Sequence, residues 1–187
     1  MKKMKKFTTR TITIIAFSVA LNYIGGAIAL FLRLPIYLDS IGTIFSATLL
    51  GPGFGALTGT ISALLSGITA DLFSLYYAPV QIITGLCAGF LLNGKIQKSR
   101  LPLQALLISF PGTVAASLIT VFLFGGITSS GSSILVQVLS GLGLDQTASI
   151  ILIQAGTDYL DRLLAVVLVA AVVLSLGERR VFQQNKS

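Results

Sequence analysis

Long apolar runs, separated by short breaks rich in glycine, proline and polar residues, fill most of the 187-residue chain. An α-helix crosses the hydrocarbon core of a bilayer, about 30 Å thick, with about 20 residues, and the first run reaches that length. Breaks at Arg33-Leu34-Pro35 and Gly51-Pro52-Gly53 separate the first run from the second and the second from the third. The pattern predicts an all-α polytopic membrane protein with six transmembrane helices, over residues 12–32, 38–50, 54–70, 79–93, 103–124 and 148–176.

The region between the fifth and sixth predicted spans has a different character. Residues 125–147 combine paired glycines, a Ser-Ser-Gly-Ser-Ser stretch and a short apolar run, which predicts a long loop carrying a short helix. The sixth span exceeds the minimal length and is expected to tilt or project. Pro111-Gly112 predicts a kink in the fifth span. Together these segments form a single integral membrane domain over residues 1–187.

Composition supports the membrane interpretation. Hydrophobic residues make up 54% of the chain and charged residues only 10%, with a mean hydropathy of +0.92, whereas soluble domains carry about 25% charged residues. The basic start of the first run also suggests a cleaved signal peptide, but the run is longer than the roughly 7–15 apolar residues of such a signal. An uncleaved first helix is therefore expected.

The cationic residues predict the orientation. Eleven of the thirteen lysines and arginines lie at the N-terminus, in the 95–102 loop or at the C-terminus; the exceptions are Arg33 and Arg162. Cytoplasmic segments of membrane proteins carry such an excess, so we expect a multi-pass protein of the cell membrane with both termini in the cytoplasm. Because each cationic group flanks an apolar segment, the net charge of +7 indicates bilayer anchoring and not nucleic-acid binding.

Residues suited to catalysis or metal binding are scarce. The chain has no histidine and a single cysteine, Cys87, and histidine is the commonest general base and metal ligand. No motif of a hydrolase, a metalloprotease or a nucleotide-binding loop occurs. We therefore expect no enzyme, no cofactor and no metal, although a membrane enzyme stays the least favoured alternative.

Small residues recur four positions apart. Such pairs allow helix backbones to approach closely in lipid. For Gly55 with Gly59, and for Gly85 with Gly89, we expect packing within this protein. Ala16 and Ala20 in the first helix have the same spacing, and either internal packing or docking of another protein would explain them.

Polar and aromatic side chains cluster in the half of the protein predicted to face outward. Ionisable groups at membrane depth usually face a cavity or a partner, so a ligand pocket with tyrosine walls is predicted. A plain i,i+4 salt bridge between Asp158 and Arg162 is the simpler alternative, and both can hold. The candidate ligand-binding residues are Tyr37, Asp39, Asp71, Tyr76, Tyr77, Gln81, Gln154, Asp158 and Arg162.

The whole chain resembles the substrate-binding S components of energy-coupling factor (ECF) vitamin transporters. The resemblance rests on the size, the six predicted spans, the basic N-terminus, the Ala16-Phe17-Ser18-Val19-Ala20 motif, and the stretch from Tyr37-Leu38-Asp39-Ser40-Ile41-Gly42 to Leu50-Gly51-Pro52 before a glycine-rich helix.

This resemblance implies a function and partners. S components bind a ligand at the outer face and dock through the first helix, here Ala16 and Ala20, on a transmembrane coupling subunit served by two cytosolic ATPases. The acids, amides and tyrosines of the candidate pocket favour a neutral or cationic ring compound, such as a vitamin, a vitamin precursor or a nucleoside-like compound. A stand-alone small-molecule transporter or channel is the main alternative, although no inverted repeat is visible.

Overall fold

The fold is a bundle of α-helices, with no β-strand in the ranges that the structure covers. The computed structural model of the chain describes residues 7–94 and 96–184. The helices are α1 (Thr9–Phe31), α2 (Ile41–Leu50), α3 (Pro52–Thr69), α4 (Phe73–Tyr76), α5 (Ala78–Leu92), α6 (Leu101–Ile119), α7 (Ser132–Gly141) and α8 (Gln146–Gln184).

Several local features differ from the sequence prediction or add to it. The connection after α3 contains the short helix α4, which the sequence did not reveal. Helix α6 continues through Pro111 and ends in a turn of π-helix, Thr120–Phe124. Helix α7 is the short helix predicted inside the 125–147 loop. That each longer helix crosses the bilayer stays a prediction.

The surface of the bundle is that of a membrane protein. Large apolar side chains such as Phe31, Phe122 and Leu142 are 87%, 79% and 79% exposed, and soluble monomers rarely expose wide apolar areas. Helix α1 and the stretch Lys98–Phe124 are long and apolar enough to span a bilayer, each with a mean hydropathy of 2.0. Many polar side chains are turned inward instead, among them Ser40, Gln81, Gln154, Asp158 and Asp161.

Helices α3 and α5 pack backbone against backbone, as predicted from their glycines. A Cβ atom added to Gly85 would lie 2.3 Å from the carbonyl carbon of Gly55, and one on Gly59 would lie 2.7 Å from the carbonyl oxygen of Gln81. At Gly89 the nearest atom is Cα of Pro52, 2.2 Å away. The prediction of internal packing for both glycine pairs is therefore confirmed.

The apolar core occupies the end of the bundle where α2, α5 and α6 meet α8. Its fully buried members are Ile44, Ala47, Ala88, Leu92, Ala105, Ile108, Ala165, Val166 and Val169. At the opposite end the buried side chains are largely polar. Of the cationic residues that predicted the orientation, Lys2, Lys3, Lys5, Lys6, Lys95 and Lys186 lie outside the described residues.

Candidate ligand-binding cleft

Three connecting segments meet at the polar end of the bundle. The segment after α1 packs on α1 itself, since a Cβ on Gly25 would lie 2.2 Å from the carbonyl oxygen of Leu38. The loop before α7 touches the same segment, with Gly131 so close to Arg33 that an added Cβ would lie 1.9 Å from its carbonyl oxygen. This loop also reaches the connection before α4, because Ser129 Oγ donates to Asp71 Oδ2 at 2.7 Å.

These segments enclose a cleft with two adjoining halves of about 530 and 480 Å³, including the space at their mouths. The outer half lies along the end of α1, and the inner half reaches deeper between α1, α3 and α5. Both halves share the wall residues Tyr37, Asp39, Ser66, Asp71, Ser74 and Ser129. The outer half adds Tyr23, Gly26, Ala27, Ala29, Leu30, Leu34, Ile36, Ala70 and Ser130, and the inner half adds Asn22, Ser62, Ala63, Phe73, Tyr77, Gln81 and Thr128.

The structure brings five of the nine candidate residues to this cleft. Tyr37, Asp39 and Asp71 line both halves, and Tyr77 and Gln81 line the inner half. The other four, Tyr76, Gln154, Asp158 and Arg162, are not among the residues that line either half.

Tyr76 lies at the edge of this end of the bundle and not in the cleft wall. Its side chain is 48% exposed, and its ring meets the ring of Phe124 edge to face, with the centroids 5.3 Å apart. Phe73 and Tyr77 pack on the same phenylalanine, at 4.8 and 6.1 Å. Phe124 therefore joins the π-helical turn after α6 to the α4 region.

Asn22 is the hub of a buried network at the floor of the inner half. Its Nδ2 donates to Thr43 Oγ1 at 2.8 Å and to Ser62 Oγ at 2.9 Å. Its Oδ1 accepts from the backbone N–H groups of Gly42 at 2.7 Å and Thr43 at 3.3 Å. Because the first N–H groups of a helix lack partners within the helix, Asn22 caps α2 from a different helix.

Gln81 extends this network to the cleft wall. Its Oε1 accepts from Thr43 Oγ1 at 3.1 Å, and its Nε2 donates to the carbonyl oxygen of Asp39 at 3.1 Å. The amide is thus held in one orientation by two partners. Sequence reasoning selected Gln81 but missed Asn22, Thr43 and Ser62. The available signal was that Asn22 is the one amide side chain in the first apolar run.

The 37–40 segment presents alternate residues to opposite sides. Tyr37 and Asp39 line the cleft, whereas Leu38 and Ser40 bind Asp161 on α8. The N–H of Leu38 donates to Asp161 Oδ1 at 2.7 Å, and Ser40 Oγ donates to Asp161 Oδ2 at 3.1 Å. Leu38 has a φ of +54°, a left-handed conformation that is costly for a bulky side chain, so this anchoring holds a strained backbone in place.

The salt bridge between Asp158 and Arg162, the simpler alternative suggested by their spacing, does not form. Arg162 Nη1 pairs with Asp161 instead, and it also donates to Ser40 Oγ at 2.7 Å. Ser40 Oγ accepts from Arg162 and donates to Asp161, so it contacts both members of the pair. Both charged residues are buried, with 1% exposure for Asp161 and 5% for Arg162, so the pair fastens α8 to the cleft wall.

Gln154 and Asp158 lie one turn apart on α8, behind the tyrosines of the cleft. Gln154 Nε2 donates to Thr120 Oγ1 at 2.7 Å, and the hydroxyl of Tyr77 lies 2.6 Å from the same atom. Asp158 lies beside Thr113 of α6. Two oxygen atoms of this group, Gln154 Oε1 and Asp158 Oδ2, are buried without a hydrogen-bond partner.

Tyr37 and Tyr77 of the cleft wall are neutral at physiological pH. Burial raises the pKa of Tyr77 to about 12, with a further contribution from the charge of Asp158. Burial and the same carboxylate also raise the pKa of Tyr37. Both hydroxyls can therefore donate as well as accept hydrogen bonds, and both lie within the electrostatic influence of Asp158.

Comparison with known proteins gives a match to a sequence family. Residues 10–176 match the sequence model of the family described as the substrate-specific component of ECF transporters. No curated protein and no solved structure matches the chain.

Proposed function

This chain belongs to the family of substrate-specific components of ECF transporters, and from that premise we propose that it captures a small ring-containing micronutrient in the cleft between α1, α3 and α5. As a member of that family it is a transport subunit embedded in a membrane. The ligand class that we propose is a vitamin, a vitamin precursor or a nucleoside-like compound. The observation that carries the proposal is a cleft at one end of the bundle whose wall combines tyrosines, carboxylates and serines.

The wall chemistry supports this choice of ligand. Tyr37 and Tyr77 offer aromatic faces and hydroxyls, and Asp39 and Asp71 offer carboxylates. No lysine or arginine of the described chain lines either half. A doubly charged carboxylate would have no cation to pair with, so a neutral or cationic ring compound is favoured.

The nine candidate residues take different roles in this proposal. Direct contact with the ligand is proposed for Tyr37, Asp39, Asp71, Tyr77 and Gln81, which line the cleft. Tyr76 would contribute at the rim. Arg162 would act through Asp161 and Ser40, by positioning the segment that carries Tyr37 and Asp39. Gln154 and Asp158 would form the deepest part of the site.

The first helix is proposed to dock on a partner. Ala16 and Ala20 are both exposed, so they do not serve close packing within the described chain. They lie one turn apart on a single face, and small residues at this spacing permit a close helix contact in lipid. The proposed partner is a transmembrane coupling subunit that works with two cytosolic ATPases.

The proposal includes the orientation of the protein in the membrane. The cationic bias supports a cytoplasmic position for both termini, and the cleft end of the bundle would then face outward in the cell membrane. The ligand would bind from outside, and release inside would depend on ATP hydrolysis by the partners.

Reconstituted uptake tests the proposal. The small molecule that co-purifies with the full chain is identified by mass spectrometry and offered in labelled form to proteoliposomes. We expect the chain alone to bind it without accumulating it, and the chain with the coupling subunit and ATPases to accumulate it when ATP is inside. Accumulation by the chain alone would favour a stand-alone transporter, and no accumulation with the complete set would reject the proposed function.

A further inference from the structure

The arrangement behind Tyr37 and Tyr77 carries information about the ligand. Gln154 and Asp158 are only 4% and 6% exposed, and each has a buried oxygen atom without a hydrogen-bond partner. Buried polar atoms normally find a partner, because burial without one is costly and most costly for a charged group. Such atoms also occur on Ser18, Thr84, Ser117 and Ser140, but Asp158 Oδ2 belongs to a carboxylate and shares one face of α8 with Gln154 Oε1. This pairing indicates that something absent from the chain itself completes the group.

The hydrogen bonds around Thr120 fix which atom of Gln154 is free. Thr120 Oγ1 donates its proton to the carbonyl oxygen of Ala116 at 2.9 Å. It must therefore accept from its two other neighbours, the Tyr77 hydroxyl and Gln154 Nε2. The amide of Gln154 is thereby oriented with nitrogen toward Thr120, which leaves Oε1 as an acceptor.

The charge of Arg162 acts on Asp158 without a salt bridge between the two side chains. In the ranges described, no lysine or arginine nitrogen forms a salt bridge with Asp158, since Arg162 pairs with Asp161 and Ser40 on the side of the 37–40 segment. Thr113 is an uncharged neighbour of Asp158. The pair therefore offers one carboxylate oxygen and one amide oxygen, both of them hydrogen-bond acceptors.

We propose that Gln154 Oε1 and Asp158 Oδ2, which lie behind Tyr37 and Tyr77, form a subsite for a cationic amino or amidine-type nitrogen of the ligand. This inference rests on the proposed function and narrows its ligand to a ring compound that carries such a group. Two N–H bonds on a positively charged nitrogen would satisfy both acceptors at once, and charge-assisted hydrogen bonds are the stronger kind. Asp39 and Asp71 in the cleft wall add to the preference for positive charge.

Three nearly isosteric probes test this inference: benzamidinium, which is cationic with four N–H bonds, benzamide, which is neutral, and benzoate, which is anionic. Thermal unfolding of the purified full chain is followed by circular dichroism with each probe at equal ionic strength. A ligand that binds the folded state raises the midpoint according to its concentration and affinity. We expect the largest rise with benzamidinium, a smaller one with benzamide and none with benzoate.

Variants of Asp158 and Gln154 test whether benzamidinium binds at these two residues. Asp158→Asn keeps the shape but removes the charge, and it should weaken benzamidinium binding by roughly tenfold or more. Asp145→Asn is the matched control, because Asp145 is exposed and caps the start of α8, and it should leave binding unchanged. Gln154→Met provides a second test in case the first variant does not fold, and it should also weaken benzamidinium binding.

The outcomes separate this inference from the proposed function. Benzamide or benzoate stabilising the wild-type protein as well as benzamidinium does, or no stabilisation by benzamidinium, would overturn the subsite. Unchanged benzamidinium binding in both Asp158→Asn and Gln154→Met would do the same and would assign the two oxygen atoms to an internal water. The uptake measurement with the complete transporter does not depend on these probes, so it reports on the proposed function separately.

Discussion

The backbone N–H of Leu38 donates a 2.7 Å hydrogen bond to the carboxylate of Asp161, a residue 123 positions later in the chain. This bond holds a leucine in a left-handed backbone conformation between two residues of the cleft wall, Tyr37 and Asp39. The same carboxylate binds Ser40 and pairs with Arg162. The wall of the cleft is therefore set by a buried ion pair on the last helix.

Removing the charge of Asp161 should destabilise the protein. Asp161→Asn leaves Arg162 buried without its counterion, and breaking a buried ion pair by removing one partner costs about 3–5 kcal/mol. Thermal unfolding of the purified protein measures the loss, with Asp145→Asn as the control for an exposed aspartate. The double variant Asp161→Asn/Arg162→Gln should recover part of the stability, because neither charge is then left alone. A double variant less stable than Asp161→Asn would contradict the pairing.

Replacing Asn22 should destabilise the protein more than replacing another asparagine of the bundle. Asn22→Ala removes four hydrogen bonds and leaves buried groups of α2 and α3 without partners, at about 1–3 kcal/mol for each unsatisfied group. Asn93→Ala is the matched control, because Asn93 donates to the carbonyl oxygen of Thr48 at the other end of the bundle. We expect a large drop in the unfolding midpoint and weaker ligand binding for the first variant only. Equal unfolding midpoints for Asn22→Ala and Asn93→Ala would contradict the role of Asn22 as the hub of the buried network.

The sequence predicted the helical architecture because apolar run lengths and breaks are local properties. The same was true of the glycine pairs in α3 and α5, whose spacing alone indicates a packing face. Position in the chain was also enough to select five residues that line the cleft, because all of them precede or begin helices at the same end of the bundle. These residues are Tyr37, Asp39, Asp71, Tyr77 and Gln81.

The features that could not be predicted depend on contacts between distant segments. Helical spacing suggested Arg162 with Asp158, but Arg162 pairs with Asp161, and Ser40, 122 positions before Arg162, contacts both partners. Asn22 lies in an apolar run, and only the approach of α2 and α3 gives its amide four partners. Ser129 belongs to a loop whose place over the cleft depends on its bond to Asp71.

Thiol labelling in a Cys87→Ala background tests which end of the protein faces the outside of the cell. Leu142 is 79% exposed near the cleft end of the bundle, and Ser99 is exposed in the connection between α5 and α6. An impermeant thiol reagent added to intact cells should modify Leu142→Cys and leave Ser99→Cys unmodified, because the cationic bias places Ser99 inside. Lysed cells provide the control in which both react. The opposite labelling pattern would invert the proposed orientation.

Bulky residues at the proposed docking face should separate binding from uptake. Ala16→Leu/Ala20→Leu places large side chains on an exposed face of α1, where they would hold a partner helix away. Ligand affinity of the isolated chain should be unchanged, while ATP-dependent uptake and co-purification with the coupling subunit should be lost. The control Ala155→Leu/Ala171→Leu changes two exposed alanines of α8 and should retain uptake. A parallel loss of binding and uptake in the α1 variant would assign the pair to internal packing instead.

Protection of a cysteine inside the cleft tests the central claim most directly. Ser66 lines both halves of the cleft, and Ser66→Cys in the Cys87→Ala background can be modified by a small methanethiosulfonate reagent. The compound that co-purifies with the protein, added at saturating concentration, should slow modification of Ser66→Cys and leave the rate at Leu142→Cys unchanged. Equal rates at Ser66→Cys with and without the saturating compound would contradict binding in this cleft.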